Sequence, residues 1–320
     1  MYKHNILVTS IGSFSADCVV KSLRDFSKGK IIGCDIFPSY WHHNSSNFDE
    51  VLLAPPVKDE EAYLNFINKI CLLYDINLIM PLTDPEVDFF NKHKTHYEQS
   101  GLIITIAKPE FIEIARNKRK LTEYANCITD LLPIKSWSVR ELKAGQFYPL
   151  IAKPINGRSS EGVYILNSYN DLKKDYDNDN YIFQEIIDGK VCTIDYIRSS
   201  KFNFDFCIPR WEHLRTKNGA GITVEIFHST ILEKIVSKIG KDFDVNGAIN
   251  IEFISKHNQF YIIDINPRFS AGIGFSKLAG YDFIKSHVNC FTGQNILPPV
   301  KYSKFIAEKK MVEVINKELN

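Results

Sequence analysis

The sequence predicts a mixed α/β protein, with a parallel-sheet α/β half followed by an α+β half. Between residues 6 and 107, continuous apolar runs alternate with helical patterns, which is typical of a parallel sheet covered on both faces. From residue 135 onward, strand-like runs instead follow one another with turn residues between them. At roughly 150 residues per domain, a chain of 320 residues has room for more than one domain.

The first half has a regular order of elements. Predicted strands lie at 6–10, 30–35, 50–54, 78–82 and 102–107, with helical patterns around 19–26, 60–74 and 85–99. Ligands gather at the carboxyl ends of the strands in such sheets. We therefore expect residues 10–15, Asp35 and residues 83–86 to lie along one ligand-binding rim.

The second half opens with a helix at Pro109 and then becomes strand-rich. Strands are predicted at 135–139, 149–155, 163–166, 181–186, 191–198, 202–211, 222–227, 247–254 and 259–266. Turn residues at 156–157, 188–189 and 199–200 predict hairpins. Helices are expected at 230–240 and near 281–291, and the tail from Lys301 is compatible with a strand followed by a helix.

Composition excludes several classes of protein. With 44% hydrophobic and 24% charged residues, the chain is ordinary for a globular protein. A net charge of +1 gives no overall basic field, which argues against nucleic-acid and membrane partners. The seven cysteines form no CxxC pair, so we expect buried reduced thiols. No signal peptide and no apolar run of about 18 residues is found, so we expect a cytoplasmic protein.

One pair of strands predicts a metal site. Strand side chains alternate between faces, so Glu252 and Asp264 can become neighbours across a hairpin, with Asn266 on the same face as Asp264. Two adjacent carboxylates repel unless a cation or a proton lies between them, and magnesium prefers oxygen ligands. Arg268 follows at once and could hold a phosphate bidentately. The alternative is a hairpin with a solvated polar face.

A lysine in an apolar strand and the loop after it suggest a phosphate site. Lys153 would be costly in that strand unless it meets an anion, although an edge-strand lysine can also extend to water. The loop of residues 156–162 contains Gly157, Ser159 and Ser160, and such a loop can present backbone N–H groups to phosphate oxygens. An ordinary hairpin turn is the alternative.

Two further segments are weaker candidates. An apolar strand ends at Gln184, Glu185 and Ile187, which suits the edge and faces of an adenine, although a surface strand end also fits. The rim residues Thr83, Asp84 and Glu86 could hold a substrate ammonium group. Alternatively, residues 84–86 simply begin a helix, with Asp84 as its N-cap and Pro85 in its first turn.

Together and in this order, these motifs resemble the ATP-grasp superfamily, in the branch similar to carbamoyl-phosphate synthase large subunit. The run from Ile263 to Arg268 resembles the family's E-x-N-P-R metal motif with Asp in place of Glu. The resemblance implies an ATP-grasp fold with a Rossmann-like pre-ATP-grasp domain at 1–114, a small lid at 115–188 and a larger catalytic domain at 189–320.

The resemblance also implies roles for individual residues. The implied cofactors are ATP and Mg²⁺ or Mn²⁺, with the metal held by Glu252, Asp264 and Asn266. The implied ATP ligands are Lys118, Lys153, Gly157, Ser159, Ser160, Gln184, Glu185 and Ile187. Lys153, Arg215 and Arg268 are the implied catalytic residues, with Thr83, Asp84, Glu86, Arg210 and Ser270 as substrate ligands. Surface arginines are the alternative for Arg210 and Arg215.

One position departs from the family pattern. The family usually places a ribose-binding carboxylate where this chain has Val191, and Asp195, four residues on, is a poor substitute. The implied function is a ligase that joins a small-molecule carboxylate to an amine through an acyl phosphate. A phosphotransferase and a non-catalytic ATP-binding protein are the alternatives, and the aromatic content is compatible with a homodimer.

Overall fold

The structure is a computed structural model that describes residues 3–128, 131–142, 148–157, 161–172 and 180–317. In these residues three β-sheets follow one another along the chain. Each sheet falls within one of the three segments predicted as domains. Among the described residues, no helix is both long enough and apolar enough to cross a membrane.

The first sheet is parallel and has five strands in the order β3-β2-β1-β4-β5. Its strands are β1 (Ile6–Thr9), β2 (Ile31–Asp35), β3 (Glu50–Leu53), β4 (Leu78–Met80) and β5 (Ile103–Ile104). Its helices are α1 (Ala16–Phe26), α2 (Glu60–Leu73), α3 (Asp84–Lys92) and α4 (Lys94–Gln99). The predicted helix at 85–99 is thus two helices, because His93 leaves the helical conformation, with its ring against Phe89 and Nε2 2.9 Å from Glu60.

The second sheet is small and antiparallel, with four strands in the order β6-β9-β7-β8. Two helices lead into it, α5 (Pro109–Arg116) and α6 (Lys118–Ala125). Its strands are β6 (Ser136–Trp137), β7 (Leu150–Pro154), β8 (Tyr164–Leu166) and β9 (Tyr181–Glu185). We call residues 131–185 the lid. The lid sheet has its own small core, formed by Leu142, Leu150, Ala152, Leu166 and Phe183.

The third and largest sheet is antiparallel, with six strands in the order β14-β13-β10-β11-β12-β15. Its strands are β10 (Lys190–Ser199), β11 (Phe204–Arg215), β12 (Gly221–Ile226), β13 (Gly247–Lys256), β14 (Gln259–Asn266) and β15 (Phe305–Glu308). Its helices are α7 (Thr230–Asp242), α8 (Ile273–Leu278) and α9 (Phe283–Phe291).

Some predictions of local structure were wrong. Residues 188–189 do not form a hairpin turn, because β9 belongs to the lid and β10 to the large sheet, and the two strands do not pair. The predicted hairpin at 199–200 is confirmed, since β10 pairs with β11. The tail forms strand β15 on the edge of the large sheet, and the described residues 309–317 contain no helix.

The first and third sheets share their hydrophobic cores. One core cluster contains Leu7 of β1 together with Ile251 of β13, and another contains Ile6 of β1 together with Ile284 of α9. The lid core belongs to neither cluster. The parallel sheet and the large sheet are therefore packed as one body, with the lid attached to it.

Candidate functional site

The functional side chains lie on one face of the large sheet. Strand register places Thr193 opposite both Arg210 and Glu252, and Asn250 opposite Asn266. Because side chains alternate, this face carries polar residues from four neighbouring strands. It forms the floor of a cavity of about 510 Å³ that also reaches the rim of the parallel sheet and the lid. The floor residues that line the cavity are Thr193, Arg210, Glu212, Asn250, Glu252, Asp264 and Asn266.

The predicted carboxylate pair is present. Glu252 lies directly opposite Asp264 in the β13–β14 ladder, as the alternation predicted. Each carboxylate contacts a cation: Arg215 Nη2 lies 2.7 Å from Glu252 Oε2, and Lys118 Nζ lies 3.2 Å from Asp264 Oδ1. Burial raises the pKa of Glu252, Arg215 opposes this effect, and the charge of Asp264 adds to it.

The donor set fits a hard divalent cation. Asn266 Nδ2 donates to Asn250 Oδ1 at 3.0 Å, which fixes the amide so that its own oxygen faces Arg268. Two opposed carboxylates and one amide oxygen are ligands that Mg²⁺ and Mn²⁺ accept. Within the described part of the chain, no three Asp, Glu, His or Cys side chains converge as a metal cluster. The fit therefore depends on the pair of carboxylates and on Asn266.

Two lysines lie near the Glu252–Asp264 carboxylate pair, on the side that faces the lid. Lys118, the first residue of α6, also donates through Nζ to the carbonyl of Gly157 at 3.2 Å. Lys153 on β7 lines the same cavity, and burial lowers its pKa to about 8, with Lys118 adding to the shift and the two carboxylates opposing it. Among the described residues, no carboxylate lies within 4 Å of the Lys153 ammonium. The two ammonium groups are placed to receive an anion between lid and floor.

Arg268 and Asp84 bind each other. Arg268 Nε lies 2.9 Å from Asp84 Oδ1, and its Nη2 lies 2.8 Å from Oδ2. Arg116 Nη1 lies 3.9 Å from the same carboxylate. Both residues line the cavity, so the phosphate role of Arg268 and the ammonium role of Asp84 stay predictions. The N-cap of α3 is Thr83, so the predicted capping register was wrong by one residue.

The predicted rim is present, but its acidic residue Glu86 faces inward. Ser10 Oγ contacts Thr83 Oγ1 at 3.2 Å, and the backbone N–H of Gly12 donates to Asp35 Oδ2 at 2.9 Å. Thr83 lines the cavity. Glu86 is buried and accepts hydrogen bonds from the hydroxyl groups of Thr83, at 2.8 Å, and Tyr63, at 3.1 Å. Its carboxylate is therefore hydrogen-bonded within the parallel-sheet domain. Burial raises its pKa.

Arg210 is a buried residue of the cavity floor. Its Nη1 lies 2.6 Å from Asp195 Oδ2, its Nε lies 3.0 Å from Glu212 Oε1, and its Nη2 donates to Ser270 Oγ at 3.1 Å. Ser276 Oγ also donates to Asp195 Oδ2, at 2.6 Å. The ribose contact predicted for Asp195 therefore has no support here, because its side chain is used to hold Arg210.

The segment predicted to bind adenine lies where the lid sheet meets α6. Gln184 Nε2 donates to Ser136 Oγ at 3.0 Å and to Thr122 Oγ1 at 3.3 Å, and Glu185 Oε1 accepts from the Lys135 backbone at 3.0 Å. Ile187 is half-buried. Adenine binding by these residues stays a prediction. Gly157 lines the cavity, whereas Ser159 and Ser160 of the same loop lie outside the described residues.

Sequence reasoning missed two floor residues, Thr193 and Glu212. Both side chains are almost fully buried, and both line the cavity. Glu212 follows Arg210 by two residues and therefore shares its strand face. Alternation within β11 was the signal that could have identified it.

Comparison with known proteins agrees with this geometry. The model of the ATP-grasp domain matches residues 115–272, and the model of the PylC-like N-terminal domain matches residues 6–106. A carbamoyl phosphate synthase large chain from Clostridium acetobutylicum is 24% identical over 222 residues, which cover 62% of this chain and 20% of that protein. This chain thus spans about a fifth of the length of that relative.

Solved structures share the fold at low identity. A Rhizobium etli pyruvate carboxylase aligns with a TM-score of 0.74 at 17% identity, over 92% of this chain and 29% of that one. A biotin carboxylase from Campylobacter jejuni aligns at 0.69 and 16% identity, over 92% and 72%. An L-amino acid ligase from Bacillus licheniformis aligns at 0.67 and 14%, over 90% and 74%. The chain belongs to the ATP-grasp superfamily, with a PylC-like N-terminal domain preceding its ATP-grasp domain.

Proposed function

We propose that the protein is an ATP-dependent, ADP-forming ligase that joins a small-molecule carboxylate to an amine. The proposal rests on one observation: two lysines lie close to two opposed carboxylates between the lid and the large sheet. The lysines are Lys118 and Lys153, and the carboxylates are Glu252 and Asp264. Phosphoryl transfer requires positioning and charge neutralisation more than covalent help from the protein. The carbamoyl phosphate synthase large chain from Clostridium acetobutylicum and the L-amino acid ligase from Bacillus licheniformis, to which this chain is similar, support the same class of reaction.

In the proposed reaction, a carboxylate oxygen of the first substrate attacks the γ-phosphorus of ATP, and ADP leaves. The amine nitrogen of the second substrate then attacks the acyl carbon, loses a proton and expels phosphate. Lys118 and Lys153 would hold the phosphates, and Arg215 would stabilise the charge that develops beside Glu252. Glu252, Asp264 and Asn266 would hold Mg²⁺ or Mn²⁺, which neutralises phosphate charge when bound.

The test is a screen of substrate pools. ADP and inorganic phosphate are measured together after pools of amino acids are added with ATP and Mg²⁺, and product masses identify the pair. We expect both products to appear in equal amounts, and hydroxylamine in place of the amine to give a hydroxamate from the acyl phosphate. ADP formed with a stable phosphorylated product would indicate a phosphotransferase instead, and no ADP with any pool would contradict the proposal.

Asp264→Asn tests the metal assignment within the same assay. The substitution keeps the shape of the side chain and removes its charge, so we expect turnover to fall at least a hundredfold, with an unchanged far-UV spectrum. Asp25→Asn is the matched control, because Asp25 is largely exposed and pairs with Lys277, away from the cavity. Full activity of Asp264→Asn at limiting Mg²⁺ would remove Asp264 from the metal site.

The proposed partners are the two small substrates. A structurally similar biotin carboxylase domain dimer of the Hydrogenobacter thermophilus 2-oxoglutarate carboxylase is in complex with MgADP and bicarbonate, which supports ATP and Mg²⁺ as cofactors here. A homodimer and a cytoplasmic location stay predictions, and light scattering on the purified full chain measures the first of them.

A further inference from the structure

The buried end of the cavity floor contains one guanidinium between two carboxylates. The side chains of Arg210, Asp195 and Glu212 are each 2% exposed or less. Their formal charges sum to one negative charge. Lys309 interacts electrostatically with Glu212 and Arg210, but its Nζ donates to the carbonyl of Ala271 at 2.7 Å and forms no ion pair within 4 Å with either carboxylate among the described residues.

Three buried polar atoms of this cluster and its neighbour Thr193 have no hydrogen-bond partner among the described residues. They are Oδ1 of Asp195, Oε2 of Glu212 and Oγ1 of Thr193, and of the three residues Glu212 and Thr193 line the cavity. Buried polar atoms are almost always paired in native proteins, so each such exception requires an explanation. Glu212 and Thr193 belong to the same sheet face, since Thr193 lies opposite Arg210 and Glu212 follows two residues later. A ligand in the cavity would supply the partners that these two residues lack.

Glycines bring the backbone unusually close to this cluster. A Cβ on Gly221 would lie 2.1 Å from Glu212 Oε2, and a Cβ on Gly272 would lie 2.8 Å from Arg210 Nη2. Both glycines line the cavity. Glycine is therefore required at both positions, because the side chains of Glu212 and Arg210 fill the space that a Cβ would occupy.

The missing partner must be a hydrogen-bond donor. An ionised carboxylate only accepts hydrogen bonds, and a threonine hydroxyl can accept as well as donate. A negative, desolvated cluster attracts a cationic group and repels a carboxylate or phosphate. A primary ammonium or amine group is small, carries two or three N–H donors and satisfies all of these conditions.

We propose that Thr193 and Glu212 form the subsite for the primary amine group of the second substrate. This assignment rests on the proposed ligase function and names the class of its amine substrate: a small molecule with an unhindered primary amine. The subsite adjoins the carboxylate pair, since Thr193 lies directly opposite Glu252. An amine held there is next to the place where the acyl phosphate would form.

The experiment measures binding without turnover. Methylammonium chloride is titrated into the full chain with Mg²⁺ and a non-hydrolysable ATP analogue, and saturation-transfer NMR gives its dissociation constant. Tetramethylammonium chloride is the matched cation without N–H donors. The variants are Glu212→Gln, which keeps the size of the side chain, and Thr193→Val, which removes only the hydroxyl. Glu225→Gln on the neighbouring strand is the control, because Glu225 is exposed.

We expect the parent and Glu225→Gln to bind methylammonium equally and tetramethylammonium not at all. Binding of methylammonium should weaken at least tenfold in Glu212→Gln and severalfold in Thr193→Val. Equal binding of both cations by the parent, or unchanged methylammonium binding in both variants, would overturn the assignment. Loss of Mn²⁺ binding in Glu212→Gln with methylammonium binding intact would make Glu212 a metal ligand and would also overturn it.

This result is independent of the test of the proposed function. If the parent releases ADP and phosphate with substrate pools but does not distinguish the two cations, the ligase proposal stands and the amine subsite is wrong. If Glu212→Gln does not fold, the two cations on the parent and the Thr193→Val variant still decide the question.

Discussion

The ammonium group of Lys153 is partly removed from water by burial. Burial lowers its pKa from 10.5 to about 8, and the nearby ammonium of Lys118 adds to the shift. Because the folded pKa lies below the unfolded value, the protonated side chain costs folding free energy at neutral pH. This cost is relieved as the pH rises from about 8 towards 10.5. An anion bound beside Lys153 would relieve it at neutral pH.

We therefore expect Lys153→Met to weaken ATP binding and to stabilise the unliganded protein. ATP affinity measured by calorimetry should fall ten- to a hundredfold, about 1.4–2.8 kcal/mol. The free energy of unfolding without ATP should rise by about 1–3 kcal/mol at pH 7. Parent affinity should also decline as the pH rises through about 8, towards that of the variant. Lys69→Met, at an exposed position of α2, is the control.

If ATP binds Lys153→Met as tightly as the parent at pH 7, Lys153 has no phosphate role and is only a lysine of an interior strand of the lid sheet. That outcome would also weaken the ligase proposal, because Lys153 is the cation of the site without a carboxylate within 4 Å among the described residues.

At the level of single residues, the sequence identified candidate site residues better than it identified the partners that those residues contact. Glu252 and Asp264 were correctly predicted as cross-strand neighbours, because alternation and a short hairpin fix their register. Arg268 and Asp84 are 184 residues apart, so local sequence carries no signal for the ion pair between them. The partners of Asp195 come from β11 and α8, and they too depend on tertiary packing.

At the level of elements, the loop between β7 and β8 joins the lid to the cation site. Lys118 donates to the carbonyl of Gly157, and the Gly157 backbone N–H donates to the Pro154 carbonyl at 3.1 Å. The lid core is separate from the two larger cores, although Leu131 at the start of the lid packs into one of them. Lids of this kind commonly exclude water from reactive intermediates.

Gly157→Pro removes the N–H donor and restricts the loop backbone. We expect turnover to slow about tenfold and more ATP to be hydrolysed per product formed, because a lid that closes poorly admits water to the acyl phosphate. ADP and product are measured together in the variant and the parent. Gly157→Ala, which keeps the backbone N–H donor at the same position, is the matched control. An unchanged rate with an unchanged ADP-to-product ratio would make the loop a plain hairpin turn.

Strands were predicted well wherever a continuous apolar run coincided with burial on both faces. β1, β2 and β4 are fully buried, and each was recognised from its sequence. The turn chemistry of Asp188 and Gly189 was misleading, because the same residues can link two different sheets as well as two paired strands. Strand β15 is half exposed at a sheet edge, so its apolar pattern is weak. Its pairing with β12 comes from tertiary structure alone.

At the level of the whole molecule, His287 joins the parallel-sheet domain to the large sheet. Its Nδ1 accepts from the Ala248 backbone N–H at 2.8 Å, and its Nε2 lies 3.2 Å from the Thr105 carbonyl. Nδ1 must be unprotonated to accept, so the proton of the neutral ring lies on Nε2 and is donated to Thr105. Burial lowers the pKa of His287 from 6.5 to about 4, although the Thr105 contact opposes this shift. Protonation would break the bond to Ala248 and place a charge in the core.

The folded state therefore resists protonation of His287, whereas the unfolded chain accepts a proton near pH 6.5. The unfolded state binds more protons between the two values, so stability should fall as the pH falls from 6.5 towards 4. The full effect of this one group is about 3 kcal/mol. We expect His287→Asn to be less stable at pH 7, because it loses packing, but to lose about 3 kcal/mol less than the parent on acidification.

Urea unfolding at intervals from pH 7 to pH 4 measures this difference in slope, and His43→Asn, at an exposed histidine, controls for loss of any imidazole. Parallel pH curves for the parent and His287→Asn would show that protonation of this ring does not limit acid stability. Because His287 contacts both domains, a confirmed difference would also predict that mild acid loosens the rim of the parallel sheet from the cavity floor. ATP binding should then weaken in the parent between pH 6 and pH 4 in proportion to the loss of stability.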